Sequence, residues 1–213
     1  MRIVRDREFI QTEDKGASVA IGNFDGVHSG HQAVIDLARK ATGPGVPLGI
    51  LTFTPHPREY FNPDAPPFRL MSPAARANQL EKLGVRVLYD LSFNTSLCNL
   101  TAREFAEHVI VRDLGLRHVV VGADFCFGRG RLGTAQDLVD LGVELGFGVT
   151  IADLHEAAGE QVSSTAIRQA LSEGRPHDAA TMLGHWHRIE GPVIGGEQRG
   201  RELGFPTANM GLD

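Results

Sequence analysis

The sequence predicts a doubly wound α/β fold, a parallel sheet covered by helices on both faces. Three observations lead there. Short apolar runs alternate with helical periods from about residue 18 to residue 184. Some runs, such as RHVVVG at 117–122, are apolar almost throughout, as expected of strands buried on both faces of a parallel sheet. The helices between them carry sharp end signals, and the alternation implies right-handed crossovers.

In chain order, SVAIGNF reads as the first strand and residues 31–41 as a helix. VPLGILTF (46–53) is the second strand. The segment 72–84 is a helix because Ser72 can cap it, Pro73 suits the first helical position and Gly84 suits the stop. VRVLYDL (85–91) is the third strand. Helix 101–115 opens on a capping box, Thr101 with Glu104, and closes at Gly115. Strand 117–122, helix 134–146 and strand 147–152 follow, and helices 164–174 and 176–184 close the unit. Beyond Gly184 the texture turns rich in Gly and Arg, without helical period, and reads as the opening of a β-rich unit. About 26 residues are too few to bury a core. The expected division is therefore 1–185 for the α/β domain and 186–213 for an incomplete second one.

The bulk numbers set limits. The 213 residues are 42% hydrophobic and 22% charged, ordinary for a globular protein. No apolar run approaches the roughly 18 residues of a membrane span, and the N-terminus lacks the apolar stretch of a signal peptide. The two cysteines, Cys98 and Cys126, fit no metal or redox spacing and are read as reduced thiols in a cytoplasm. A net charge of −5 argues against a dedicated nucleic-acid binder but not against a small anionic ligand. Oligomeric state is not legible.

Five stretches carry candidate chemistry. GNFDGVHSGH (22–31) joins the first strand to the first helix and holds His28 and His31 among Gly22, Gly26 and Gly30. In an open α/β sheet, ligands bind beyond the carboxyl ends of the strands, and a helix N-terminus there suits phosphate. The histidines can donate to phosphoryl oxygens where charge develops; taken alone, the pattern is equally a tight turn with two solvated imidazoles. Zinc would need further ligands, and His56, His155, His185 and His187 make no convincing set. TFTPHPREYF (52–61) holds His56 between Pro55 and Pro57 in an extended loop, with Phe61 offering a flat face, or is simply a proline-rich turn. VGADFCFGRGRLG (121–133) offers Asp124 to a ribose or ring N–H, and Phe125 and Phe127 either to stack on a planar ring or to serve as core under a loop. VSSTAIRQAL (162–171) gathers Ser163, Ser164, Thr165 and Arg168 at a helix start, a second anion site or a plain cap. GPVIGGEQRGRELGFPTAN (191–209) ends on Thr207 and Asn209, and is either another phosphate and metal site or a loop in an incomplete domain.

Together the motifs resemble the prokaryotic bifunctional riboflavin kinase/FAD synthetase family. GNFDGVHSGH looks like the GxFDGxHxGH nucleotide site of its FMN adenylyltransferase module, and PHP, VGADFCFG and SSTAIR match its other signatures in order over residues 17–185. RGRELGFPTAN looks like the first motif of the riboflavin kinase barrel. Two departures stand out: Thr54 replaces the usual acidic residue before PHP, and Gly133-Thr134 replaces Gly-Asn or Gly-Asp.

The resemblance implies a Rossmann-like sheet of the nucleotidyltransferase type, followed by the start of a β-barrel. The implied reaction is FMN + ATP → FAD + pyrophosphate, with Mg2+ bridging phosphate oxygens and no protein metal ligand assigned. His28 and His31 are the expected catalytic pair. Gly22, Asn23, Phe24 and Asp25 are expected on the adenosine side, and Ser164, Thr165 and Arg168 on the triphosphate. His56, Phe61, Asp124 and Phe127 are expected on the flavin. Thr207 and Asn209 belong to the kinase motif; because the family's kinase base lies further downstream, kinase activity is not expected of these 213 residues. A nucleotidyltransferase for another acceptor, and a non-catalytic nucleotide or flavin binder, are the alternatives.

Overall fold

The computed structural model describes residues 1–5, 7, 10–41, 43–153, 162–197, 199–205 and 207–211. The chain opens on a short strand, β1 (Arg2–Val4), then β2 (Ser18–Ile21), helix α1 (Ser29–Lys40) and β3 (Leu48–Thr54). Helices α2 (Pro57–Phe61) and α3 (Pro73–Lys82) lead to β4 (Val87–Ser92). After α4 (Thr95–Cys98), helix α5 (Ala102–Glu104) widens into a π-helical stretch over Phe105–Asp113 and leads to β5 (His118–Gly122). A small hairpin of β6 (Cys126–Phe127) and β7 (Gly133–Thr134) precedes α6 (Ala135–Leu145) and β8 (Gly148–Ala152). Helices α7 (Ser164–Ser172) and α8 (Pro176–Leu183) pack as a pair.

The sheet runs β1-β4-β3-β2-β5-β8, every pairing parallel. From β2 the chain builds toward β3 and β4, then jumps back to place β5 on the other side of β2. That reversal creates a crevice at the carboxyl ends of β2 and β5, where open α/β sheets bind ligands. The alternation of side chains explains why β2 is apolar along its whole length. Val19 and Ile21 face a core built with Tyr89, Phe105, Ile110 and Leu138, whereas Ala20 faces Ile35, Ile50, Leu80 and Leu88. Gly49 is needed in β3 because a Cβ there would lie 2.9 Å from Val19.

Four differences from the sequence expectation have local causes. β1 adds a sixth, edge strand, too short at three residues to show a period. The 101–115 helix keeps its predicted cap but continues with π geometry, Leu114 donating to the Val109 carbonyl. The PHP segment is not extended throughout, because Pro57 takes the first position of α2 and Glu59 completes a capping box with His56. The VGADFCFGRGRLG segment contains the β6–β7 hairpin, its turn allowed by positive φ at Gly128 and Gly130.

Beyond α8 the chain forms β9 (Val193–Ile194), α9 (Arg199–Glu202) and β10 (Asn209–Met210), with β9 and β10 antiparallel. Thr207 and Asn209 are exposed, as are Val193, Ile194, Leu203 and Phe205. No helix among the described residues is long and apolar enough to cross a membrane.

Candidate active site

The loop between β2 and α1 is held from all sides by its carbonyl groups. Asn23 O accepts from Arg76 Nη1 at 3.1 Å and from Thr52 Oγ1 at 3.4 Å. Phe24 O accepts from the Val27 amide, and Asp25 O accepts from Ser164 Oγ at 2.9 Å. Gly26 O lies 3.0 Å from His185 Nε2, and Val27 O accepts from Gln32 Nε2 at 3.0 Å. These anchors sustain backbone that side chains otherwise avoid. Phe24 and Val27 have φ of 51° and 42°, left-handed values that are costly for a β-branched residue. Both are fully buried, so packing shares the cost. Gly26 has φ of 85°, and a Cβ there would lie 2.8 Å from Leu70.

The loop delivers two imidazoles to the start of α1. His28 is the N-cap, its Nδ1 accepting from the His31 amide at 3.3 Å. A nitrogen that accepts carries no proton, so neutral His28 holds its hydrogen on Nε2. The two rings stack with centroids 3.7 Å apart, and Phe24 lies against His31 at 5.0 Å. Gly30 makes the stack possible, since a Cβ at that position would lie 3.2 Å from His28 Nδ1. Burial pushes His28 down from 6.5 to about 4, Asp25 opposing the shift and Arg168 adding to it. Burial likewise lowers His31 well below the ordinary range, with His28 adding to the shift. Both rings are therefore neutral at pH 7. Buried His31 Nδ1 has no hydrogen-bond partner among the described residues.

Asp25 and Arg168 form the second cluster. Asp25 Oδ2 accepts from Arg168 Nη2 at 2.6 Å, and Oδ1 accepts from the Leu70 amide at 2.9 Å. Arg168 Nε donates to Phe68 O at 2.7 Å, and its guanidinium lies 5.0 Å from the Phe68 ring centroid. Two of its three nitrogens are thus engaged inside the protein. Ser163 caps α7, Ser164 reaches the loop, and Thr165 is exposed at the helix start.

The predicted flavin residues separate. His56 caps α2 through Nδ1, faces Phe68 edge-on at 4.9 Å, and has its pKa lowered by burial. Phe61 is 71% exposed, edge-on to Tyr60 and Phe93, and Asp124 is exposed beyond β5. Phe127 is placed differently from the other three. It is only 6% exposed and packs between Phe105 and Phe125, so it is core beneath the hairpin and has no free face.

Sequence reasoning missed Arg76, Asp90, Gln32 and His185 as anchors of this loop. One signal for Arg76 was present: it stands four residues before Leu80, on the helix stripe that should be apolar. His155 lies outside the described residues. Among the described residues no cluster of three or more His, Cys, Asp or Glu side chains could hold a metal ion. Asp25, the carboxylate within this loop, already has both oxygens engaged.

The family model for FAD synthetase matches residues 10–166, spanning the loop, the histidines and the start of α7. The chain belongs to the FAD synthetase family. The riboflavin kinase model matches residues 183–213. A bifunctional riboflavin kinase/FMN adenylyltransferase of Pseudomonas fluorescens is 41% identical over all of this chain and 68% of its own length. Its counterpart in Bacillus subtilis is 37% identical over all of this chain and 67% of its own. Both relatives align with this chain over its whole length, while it spans about two thirds of theirs. The fold also matches a solved Streptococcus pneumoniae chain titled a macrolide-efflux protein, 32% identical, with TM-score 0.81 over 99% of this chain and 68% of that one.

Proposed function

We propose that this FAD synthetase transfers the adenylyl group of ATP to FMN. A phosphate oxygen of FMN attacks the α-phosphorus, the bond from that phosphorus to the bridging oxygen breaks, and pyrophosphate leaves. Such transfer depends on positioning and charge stabilisation, with little covalent work for the protein.

The observation that carries the reading is the stacked His28–His31 pair at the sheet's reversal point. Neutral His28 offers its Nε2–H to a phosphoryl oxygen, and His31, stacked on that ring, is the second imidazole of the pair. The anchored loop 22–27 lies along the nucleotide. Arg168 holds Asp25 and Ser164 holds the loop carbonyl, so their part is to set the loop, with Thr165 and the free nitrogen of Arg168 left for phosphate. His56, Phe61 and Asp124 border the flavin. Mg2+ accompanies ATP. Among the described residues no cluster of three or more His, Cys, Asp or Glu side chains stands ready for the ion, so it would be carried in by ATP and would supply charge neutralisation to the phosphates. The substrates are the small molecules ATP and FMN. Residues 1–185 form the adenylyltransferase unit, and 186–213 belong with a riboflavin kinase unit.

Incubation with FMN, ATP and Mg2+, followed by chromatography of the flavins, should yield FAD and an equal amount of pyrophosphate. FAD no greater than that from a His28→Ala/His31→Ala variant would refute the reading.

A further inference from the structure

We propose that Arg76 is a positioning residue for the nucleotide loop, clamping the Asn23 carbonyl to the sheet, with Asp90 holding the clamp. This rests on the reading of loop 22–28 as the ATP loop. Arg76 sits on α3 and is buried with Leu80 on the helix's inward side. Its Nη1 donates to Asn23 O at 3.1 Å and to Thr52 Oγ1 at 3.2 Å. Its Nη2 donates to Asp90 Oδ1 at 3.3 Å, and Thr54 Oγ1 donates to the same oxygen at 2.7 Å. Thr52 and Asp90 are neighbours in register on β3 and β4. One guanidinium therefore joins a helix, two strands and the loop.

Packing does not call for an arginine here. A buried ion pair is often no better for stability than apolar side chains of the same volume. What arginine adds is a rigid planar fork, so that fixing one arm fixes the other. Asp90 fixes Nη2 on the sheet, and Nη1 then meets the Asn23 carbonyl at a set place. That peptide unit leads directly into Phe24, whose left-handed backbone begins the turn that carries His28. Without Arg76 the Asn23 carbonyl keeps only the longer bond from Thr52 Oγ1 at 3.4 Å, so the Asn23–Phe24 peptide is held less firmly and the strained turn is free to relax. A lysine cannot substitute, because one ammonium on a flexible stem does not hold two acceptors in a fixed relation.

The test compares Arg76→Met, Arg76→Lys and the double variant Arg76→Met/Asp90→Leu with the parent chain. The readouts are Mg·ATP affinity by calorimetry, KM for each substrate, and thermal midpoint. Arg76→Met should lower the midpoint and weaken Mg·ATP binding by about tenfold or more. The double variant should recover the midpoint, since no charge is left buried alone, while Mg·ATP binding stays weakened and the KM for FMN stays near the parent's. Parent-like ATP affinity in the double variant would overturn the proposal, reducing Arg76 to a structural ion pair. Should the double variant not fold, Arg76→Lys decides: weakened ATP binding supports the fork, and parent-like binding overturns it. Calorimetry needs no turnover, so the two readings fail separately. A parent that binds ATP yet forms no FAD refutes the function while the clamp is still judged by affinity; a parent that binds no ATP refutes both.

Discussion

Asp25 and Arg168 are separated by 143 residues in sequence, yet Arg168 Nη2 donates to Asp25 Oδ2 at 2.6 Å. The contact latches α7 to the loop after β2, and the Ser164 bond to the Asp25 carbonyl doubles it. Loop 65–70 is drawn in as well, through the Leu70 amide and the Phe68 carbonyl. Elements from both ends of the domain thus converge on one carboxylate at the mouth of the crevice.

Arg168→Ala should loosen this latch. Asp25 would keep only the Leu70 amide as partner and remain largely buried. Because Arg168 is itself partly exposed, the stability cost should be moderate, roughly 1–3 kcal/mol. The KM for ATP should rise more than the KM for FMN, because the latch bears on the nucleotide loop. Denaturant melts and initial rates with each substrate varied in turn test this; a rise confined to FMN would place Arg168 on the flavin side.

His28→Ala and His31→Ala should slow turnover far more than they weaken ATP binding. Donors aimed at charge that develops only in the transition state act on kcat and leave ground-state affinity nearly unchanged. Removing one such donor typically costs about 10²–10³ in rate. Near-normal kcat with a raised KM would instead make the histidines ground-state binding groups.

Acid should destabilise the protein partly through His28. Burial lowers its pKa from 6.5 to about 4, so on acidification the unfolded chain takes up the proton first. The stability owed to the neutral ring is complete above about pH 6.5 and is lost as pH falls toward 4. His28→Asn removes this titration, so its stability should fall less steeply across that window, by up to about 1.4 kcal/mol per pH unit. Parallel slopes for the two proteins, measured by urea melts at stepped pH, would refute it.

Phe61 and Phe127 should part company. Phe61→Ala removes an exposed ring, so stability should hardly change while the KM for FMN rises. Phe127→Ala opens a cavity between Phe105 and Phe125 and should cost about 3–5 kcal/mol. Comparing thermal melts with FMN kinetics on the two variants checks the assignment.

That contrast also shows where the sequence stops informing. Two phenylalanines in motif stretches look equally suited to stacking, and only tertiary packing hides one of them. Features set by neighbours in sequence were legible: the Ser72 and Thr101 caps, the apolar strands, and the histidines at the head of α1. The Pro57 and Glu59 signals for α2 were equally local, but the two prolines pointed more strongly to extended chain. Arg76 with Asp90, and His185 with Gly26, were not legible, because each partner is chosen by the fold and not by spacing.

Gly30 gives the sharpest test of the histidine stack, because substitution there should move stability and activity in different directions. It lies in the first turn of α1, where alanine is intrinsically favoured over glycine by about 1 kcal/mol in a helix interior and by less near an end. Its backbone needs no left-handed angle, so that gain is available. A Cβ would, however, stand 3.2 Å from His28 Nδ1 and 3.3 Å from Cε1, tighter than ordinary contact. The ring must shift, taking with it the 3.7 Å stack on His31 and the cap that fixes the proton on Nε2. Gly30→Ala should therefore melt within a degree or two of the parent, or slightly above it, while kcat falls by about tenfold or more, as expected when a reacting group is displaced by a fraction of an ångström. If the variant kept full kcat, the placement of His28 would not matter to the reaction. If it were strongly destabilised, the loss of activity would reflect folding instead of the stack.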